Sequence, residues 1–562
     1  MPQPSPDVWW RDAVVYQVYP RSFTDSDGDG HGDLRGVTSR LPYLARLGVD
    51  ALWLCPFYPS PGVDGGYDIA DHCDVAPEFG TLADVDGLLS AAHDHGLRVL
   101  IDLVPNHCSD AHPWFRAAVA AGRGSAERGR FHFVDGRGAG GEEPPNGWRS
   151  VFGGPSWTQV AEPDGSPGQW YYHLFAPEQP DFSWEHPDVG DEFERILRFW
   201  LDRGVDGFRI DVSDALMKDT TWPETPSGDP VIPKDEASGV HDVYRRFRAV
   251  LDSYDGDRAA VIETGAPDHV VALFLRADEM HLAFSFRFVK AGWSAAGIRE
   301  AIDSSLAANA LVGAATTWVT DNHDTPRSVT RYGAGARLEG SYVPAVDPGT
   351  VSGKDDGRAA ARGDVAAAEV GTRRARAMAL LLLALPGSAF LYAGQELGLP
   401  NVDDLPDDVL TDPAFHRSGG TVRGRDGCRV PLPWSGQGPP FGFGPEGTSP
   451  WLPQPADWRL LSVESQDDDP ASMLTLYRRM LALRRSEPSL RRGAVEWLEP
   501  GDPQVLWIRR WAPDGRPLVV VVNLSPAPTP LPPGELLLSS VPLVDGLLPG
   551  EASAAVAEPP QT

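Results

Sequence analysis

The sequence predicts an α/β protein. We expect a parallel (β/α)8 TIM barrel with an inserted subdomain after its third strand and a C-terminal antiparallel β-sandwich domain. Three observations predict it. Short apolar runs alternate with amphipathic helical stretches along most of the chain. A Gly-, Pro-, Trp- and His-rich stretch interrupts them over 106–180. Beyond about residue 491 the pattern becomes short apolar runs separated by turns. The expected organisation is barrel over 1–105 and 181–490, insertion over 106–180, and C-terminal β domain over 491–562.

The strand candidates, in order, are 14–19, 51–54, 99–103, 207–210, 260–262, 281–284, 316–319 and 389–392. Between them, Leu82, Val85, Leu89 and Ala92 repeat with helical spacing, closed by Gly96. Phe193, Ile196, Leu197, Trp200 and Leu201 do the same before Gly204, where left-handed backbone is expected to stop the helix. A doubly wound open sheet would be favoured by a glycine fingerprint after the first strand, and none is present. The insertion is too long for a structureless loop, which predicts a small subdomain whose aromatics are mostly core. In the last region the runs Val505–Ile508, Leu518–Val522 and Leu536–Leu538 lie between Pro/Gly/Asp turns. Loops over 333–368 and 401–454 are expected to overhang the barrel's C-terminal side.

Composition narrows the function. The 562 residues are 41% hydrophobic and 23% charged, near the globular norm. Acidic residues outnumber basic ones, 79 to 49, for a net charge of −30. That surface repels phosphate backbones and anionic lipid, so neither nucleic acid nor membrane is an expected partner. No stretch approaches a membrane span. The four cysteines lack CxxC spacing, which argues for structural thiols over zinc. Met1–Asp7 has neither a basic start nor an apolar core, so a cytoplasmic protein without a secretory leader is expected. Monomer and homodimer both remain open.

Barrel enzymes carry their chemistry at the C-terminal ends of the strands. Here those ends read Asp102–His107, Gly207-Phe-Arg209-Ile-Asp211, Ile262-Glu263 and Asp321-Asn322-His323-Asp324. Strand alternation puts Arg209 and Asp211 on one face, where the guanidinium favours an ionised carboxylate. Three carboxyls on one rim suit glycosidic cleavage, in which an ionised group attacks and a protonated one donates. A single Asp is more often a cap or a surface ion pair; four strand ends in register are harder to dismiss.

These motifs resemble glycoside hydrolase family 13, the α-amylase family, in its α-glucosidase and oligo-1,6-glucosidase branch. Asp102–His107, Gly204–Asp211, Asn322–Asp324 and Gln179–Trp184 resemble family signature regions, and Gly66–Ile69, Gly32–Gly36 and Gly394–Gly398 are further landmarks. The resemblance implies Asp211 as nucleophile, Glu263 as acid/base and Asp324 as the carboxylate that distorts the sugar. His107, Arg209 and His323 match groups holding that sugar. Tyr67 with Asp68, and Arg425 of Arg425–Pro431, match the closed non-reducing end. Glu263 departs most from its motif, which reads Val261-Ile-Glu-Thr-Gly265. Asp321 precedes the fourth motif, but Asp324 is expected at the site.

The implied activity is a retaining, exo-acting α-glucosidase on maltose and short α-glucosides, with α-1,4 links favoured. An oligo-1,6-glucosidase, or a transglucosylase or isomerase of sucrose, maltose or trehalose, is the alternative. No organic cofactor is expected. The segment Asp25–Asp33 imitates an EF-hand loop, but Gly36 stands where the bidentate Glu would be. By resemblance its ligands to a structural Ca2+, or alternatively Mg2+, are Asp25, Asp27, Asp29, Asp33 and the His31 carbonyl.

Overall fold

The computed structural model describes residues 8–333 and 365–559. The first seven residues, and all but the two ends of the loop expected over 333–368, lie outside them. Eight parallel strands make one sheet: β1 (Val14–Val18), β2 (Ala51–Leu54), β3 (Arg98–Leu103), β4 (Gly207–Ile210), β5 (Ala259–Ile262), β6 (Leu282–Ala283), β7 (Thr317–Val319) and β8 (Ser388–Tyr392). They run β7-β8-β1-β2-β3-β4-β5-β6, and a parallel bridge from Phe284 to Thr317 joins β6 to β7 and closes the barrel. Seven strands are buried along their whole length and β3 is buried after Arg98. Helices cover the outside and side chains fill the inside, so continuous apolar runs carried the barrel in the sequence.

The predicted helices form with local reasons. Leu82–Asp94 starts on a capping box in which Thr81 and Asp84 satisfy each other's backbone N–H groups. Pro187–Asp202 has Pro at its first position, capped by the His186 ring. Its chain turns out at Gly204, whose φ of 102° favours glycine.

The insertion is structured, as its length required. A helix, Pro113–Ala121, precedes a small antiparallel sheet built from Phe133–Val134, Trp157–Ala161 and Pro167–Tyr172. Trp148, Phe152, Trp157, Tyr172 and Phe175 make a second core there, with Trp222 packed against it. Asn146 Oδ1 pins that core by accepting from Trp157 Nε1 at 2.7 Å.

The C-terminal antiparallel domain is a single five-stranded sheet. Its strands are β9 (Ala494–Leu498), β10 (Val505–Trp511), β11 (Leu518–Asn523), β12 (Glu535–Ser539) and β13 (Ala552–Ala557), in the order β9-β10-β11-β13-β12. One face joins the main core through Leu506, Ile508, Val520 and Val522. The other is covered by Leu531, Val541, Leu543 and Leu548. The second layer of the expected sandwich is therefore made of short bridged segments (Thr529 to Leu548, Val544 to Leu547). Among the described residues no helix is long and apolar enough to cross a membrane.

Candidate active site

Arg209 organises the rim. In the β3–β4 ladder it sits opposite Asp102, and its side chain is 1% exposed. Nη1 donates to Asp102 at 2.6 Å and to Asp211 at 2.7 Å, while Nη2 donates to Glu263. Trp53 Nε1 and Tyr67 Oη, each at 3.0 Å, donate to the other oxygen of Asp102. One planar fork thus draws the ends of β3, β4 and β5 together, which a lysine's point charge would not do.

Asp211 and Glu263 therefore meet on one guanidinium, each accepting from a different nitrogen of it. Burial pushes Asp211 up to about 7, with Arg209 pulling the other way and Asp102 adding to the push. Glu263 is pushed well above the carboxylate range by burial, and Asp211 and Asp324 raise it further against Arg209. Burial thus favours a protonated carboxyl at Glu263, the group that a general acid must be. Val212, next to the first carboxylate, has φ 46°, a costly conformation for a β-branched residue. It aims its N–H at Glu263 at 3.4 Å.

Asp324 sits across from them in a cationic frame. Arg425 Nη1 and Arg429 Nη2 each donate to its Oδ1 at 3.0 Å, and His323 Nε2 is 3.3 Å from Oδ2. Burial pushes this carboxyl up, but His323 and the two guanidiniums outweigh it and hold it ionised. Gln17 Nε2 donates to His323 Nδ1 at 2.7 Å, which leaves the proton on Nε2 facing Asp324. The Tyr67 ring stacks on His323 at 5.3 Å. Asp321 is turned away, accepting from Ser328 Oγ at 2.7 Å.

One sequence expectation is corrected here. Asp68 does not face Arg425. Its oxygens accept from Ser60 Oγ and from the N–H groups of Val63 and Asp64, all within the loop before Tyr67. The partner of Arg425 is Asp64, at 2.5 Å, and Asp412 holds the guanidinium from behind, also at 2.5 Å. Gly65 and Gly66, with φ 58° and 104°, turn the chain so that Asp64 points to the site while Asp68 ties the turn. Gln179 Nε2 links Asp64 to His107 Nε2, each at 3.1 Å, so His107 belongs to the same wall. Lys218, fully buried, pairs with Asp181 at 2.7 Å and donates to Asn106, whose amide faces His107.

The α-amylase catalytic domain, as a family model, matches residues 17–346 and 349–493. The chain belongs to the α-amylase family, glycoside hydrolase family 13. A domain of unknown function matches 493–556. Among curated relatives, a probable α-glucosidase of Rhizobium meliloti (strain 1021) is 35% identical over 87% of this chain and 85% of its own. A trehalose-6-phosphate hydrolase of Escherichia coli (strain K12) is 34% identical over 94% and 93%. An oligo-1,6-glucosidase of Parageobacillus thermoglucosidasius is 32% identical over 92% and 91%. The crystal structure of an α-glucosyl transfer enzyme superposes with a TM-score of 0.81 at 34% identity, covering 98% of this chain and 99% of that one. The α-amylase-family chain is thus a glycosidase of the α-glucosidase branch.

Within that family the acidic turn after β1 is the remaining expectation. Asp25, Asp27 and Asp29 offer carboxylate oxygens within 4.8 Å of one another. Asp33 accepts from Ser26 N and Oγ and caps the helix Leu34–Ser39 through Gly36 N, just as Asp25 accepts from the N–H groups of Asp27, Gly28 and Gly30. The His31 ring accepts from Arg21. The sequence reading missed Asp64, Gln179, Arg429 and Asp412. Arg429 stood in plain view as the second arginine of the Arg425–Pro431 motif.

Proposed function

We propose that the chain is a retaining, exo-acting α-glucosidase that removes terminal glucose from maltose and other short α-glucosides. The observation carrying this reading is the Asp211–Glu263 pair, two buried carboxyls that both accept from the Arg209 guanidinium. In the first step Asp211 attacks C1 while Glu263 gives its proton to the departing oxygen, leaving a glucosyl ester on Asp211. Glu263, now a base, then takes a proton from water as the water oxygen attacks C1 and the ester bond breaks. Asp324, held ionised by His323, Arg425 and Arg429, stabilises the positive charge that develops on the ring in the transition state of each step. The Asp64–Arg425 pair supports the exo reading, because it walls the end where a longer chain would have to pass.

The preference for α-1,4 links rests on Ser213–Lys218, which is unlike the α-1,6 pattern, although Val212 itself is shared with it. For the acidic turn we propose a structural Ca2+ held by Asp25, Asp27, Asp29, Asp33 and the His31 carbonyl, with Asp25, Asp27 and Asp29 offering oxygens within 4.8 Å of one another. Hard oxygen donors suit it, and Mg2+ is the alternative. The four free thiols suit a reducing compartment.

The test is kinetic. Asp211→Asn should lower turnover of maltose at least about 10^4-fold with the fold intact, and the native enzyme should prefer maltose to soluble starch and to isomaltose. Retained turnover in the variant, or equal rates on maltose and starch, would overturn the reading. Products at high maltose concentration report how often a sugar replaces water as acceptor.

A further inference from the structure

Two residues beyond the Asp211 carboxylate hold backbone conformations that bulky side chains rarely adopt. Val212 has φ 46° and Trp222 has φ 52°. Such strain persists only where the surroundings over-determine it, and here both residues have the same surroundings. Val212 and Ala215 are buried in the aromatic core of the insertion, and Trp222 packs against that same core. The segment 212–222 therefore leaves the end of β4, lies on the insertion's core, and is anchored there again at its far end.

The far anchor is built around one ring. The Trp222 indole lies 5.3 Å from the His132 ring, 5.5 Å from Trp148, 5.0 Å from Trp157 and 5.6 Å from Tyr172, the first three edge to face. All four hosts belong to the insertion. Asn146 adds a polar clamp, because its Nδ2 donates to the Trp222 carbonyl at 3.2 Å while its Oδ1 holds Trp157. The turn that delivers the indole is closed by the Trp222 N–H, which donates to the Asp219 carbonyl at 3.0 Å.

The near end of the segment meets the chemistry. Val212 N–H points at Glu263 Oε2 at 3.4 Å, and Ser213 N and Oγ donate to the Glu263 carbonyl at 2.9 and 2.7 Å. Glu263 is thus gripped at both its side chain and its main chain. Asp211 has supports of its own, a ladder bond from its N–H to Leu103 O at 2.9 Å and the Arg209 guanidinium. We infer that Trp222 is a positioning residue for Glu263: seated in the insertion's aromatic cage, it keeps the segment on that core and so keeps Val212 and Ser213 on the acid/base. The inference rests on the reading of Glu263 as proton donor, and it gives the insertion a part in catalysis that requires no contact with sugar.

The test separates proton donation from the rest of the reaction. Maltose releases a sugar hydroxyl and needs the proton of Glu263, whereas a dinitrophenyl α-glucoside releases a stable phenolate and does not. Trp222→Gly removes the ring and relaxes the backbone, since glycine adopts a positive φ freely. It should lower kcat/KM on maltose roughly 10–100-fold, the cost of a small misplacement of a reacting group. The dinitrophenyl glucoside should lose no more than about threefold, because the nucleophile keeps its own supports. Trp222→Phe, which returns a ring to the cage, should recover most of the maltose activity. Trp222→Leu fills the cage only in part and should show the same split between substrates, which covers a glycine variant that fails to fold. Circular dichroism and thermal melting check the fold of each. Undiminished maltose turnover in a folded glycine or leucine variant would overturn the inference. So would equal losses on the two substrates, the mark of a residue that serves the fold alone. A native enzyme inert toward both glucosides would instead overturn the glucosidase reading itself.

Discussion

Asp64 and Asp68 are the same residue type four places apart, and the structure gives them opposite tasks. Asp64 presents its carboxylate to Arg425, and burial lifts it only to about 6 because Arg425 and Arg429 oppose the rise. Asp68, fully buried, spends its oxygens on three donors of its own loop. Asp64→Asn should therefore lower kcat/KM on maltose by roughly 10–100-fold, the value of one or two charge-assisted contacts, with thermal stability nearly unchanged. Asp68→Asn should instead cost about 1–3 kcal/mol of stability, because a buried amide donor would then face backbone N–H groups. Urea denaturation beside steady-state kinetics separates the two, and the reverse pattern would remove Asp64 from the wall. No periodicity distinguishes these two residues in the sequence. The decision is made by the two glycines between them, whose positive φ angles are a property of the folded turn. Asp211, Glu263 and Asp324 were legible because strand alternation and strand ends place them before any loop geometry matters.

At the scale of elements the same division holds. All eight barrel strands were legible as apolar runs, since a parallel strand buried on both faces leaves a continuous signature. The insertion was legible only as a departure from that pattern. Its core is an aromatic cluster without a period, and Trp222 joins it from outside the boundaries expected for the insertion. The loop after β1 lies between these cases. Its aspartates were readable, yet Asp33 serves as a helix cap, and the loop's packing was hidden. Asp25 N donates to Phe443 O at 2.7 Å and Trp451 N to Gly30 O at 3.0 Å, so the acidic turn is stitched to the segment 441–451. A Cβ at Gly30 would meet the Ser449 carbonyl at 2.4 Å. A cation that ties these aspartates should therefore stabilise more than its own loop. Saturating Ca2+ should raise the unfolding temperature relative to EDTA, corresponding to about 2.7 kcal/mol at a hundredfold excess over Kd. The response should vanish in an Asp27→Asn/Asp29→Asn variant. Identical melting with Ca2+ and with EDTA would retire the metal proposal.

For the whole molecule, the question is whether the C-terminal sheet is an appendage or part of one folding unit. Its inner face shares a continuous core with the barrel helix Val365–Ala384, through Leu518, Val520 and Val522 on one side and Leu380 and Leu383 on the other. One buried guanidinium, Arg510, fastens the joint, and a second, Arg484, braces the barrel side of it. Arg484 donates to the carbonyls of Leu383 at 2.7 Å and Leu385 at 2.8 Å, and to that of Gly387, on the way into β8. Arg510, on β10, donates to the Ser489 and Leu490 carbonyls at 2.9 and 3.1 Å. Farther out, Glu551 receives Arg373 at 2.8 Å and Arg374 at 2.6 Å, clasping the same helix to the start of β13. Each buried carbonyl stripped of its donor costs about 1–3 kcal/mol, so removing a guanidinium that serves two of them should be felt. Calorimetry of the native chain should show a single cooperative transition embracing the barrel and the sheet. Arg510→Met should lower that transition without splitting it, because the shared apolar face remains. A separate, earlier transition for the C-terminal sheet in the native protein would show that the common core does not couple the two.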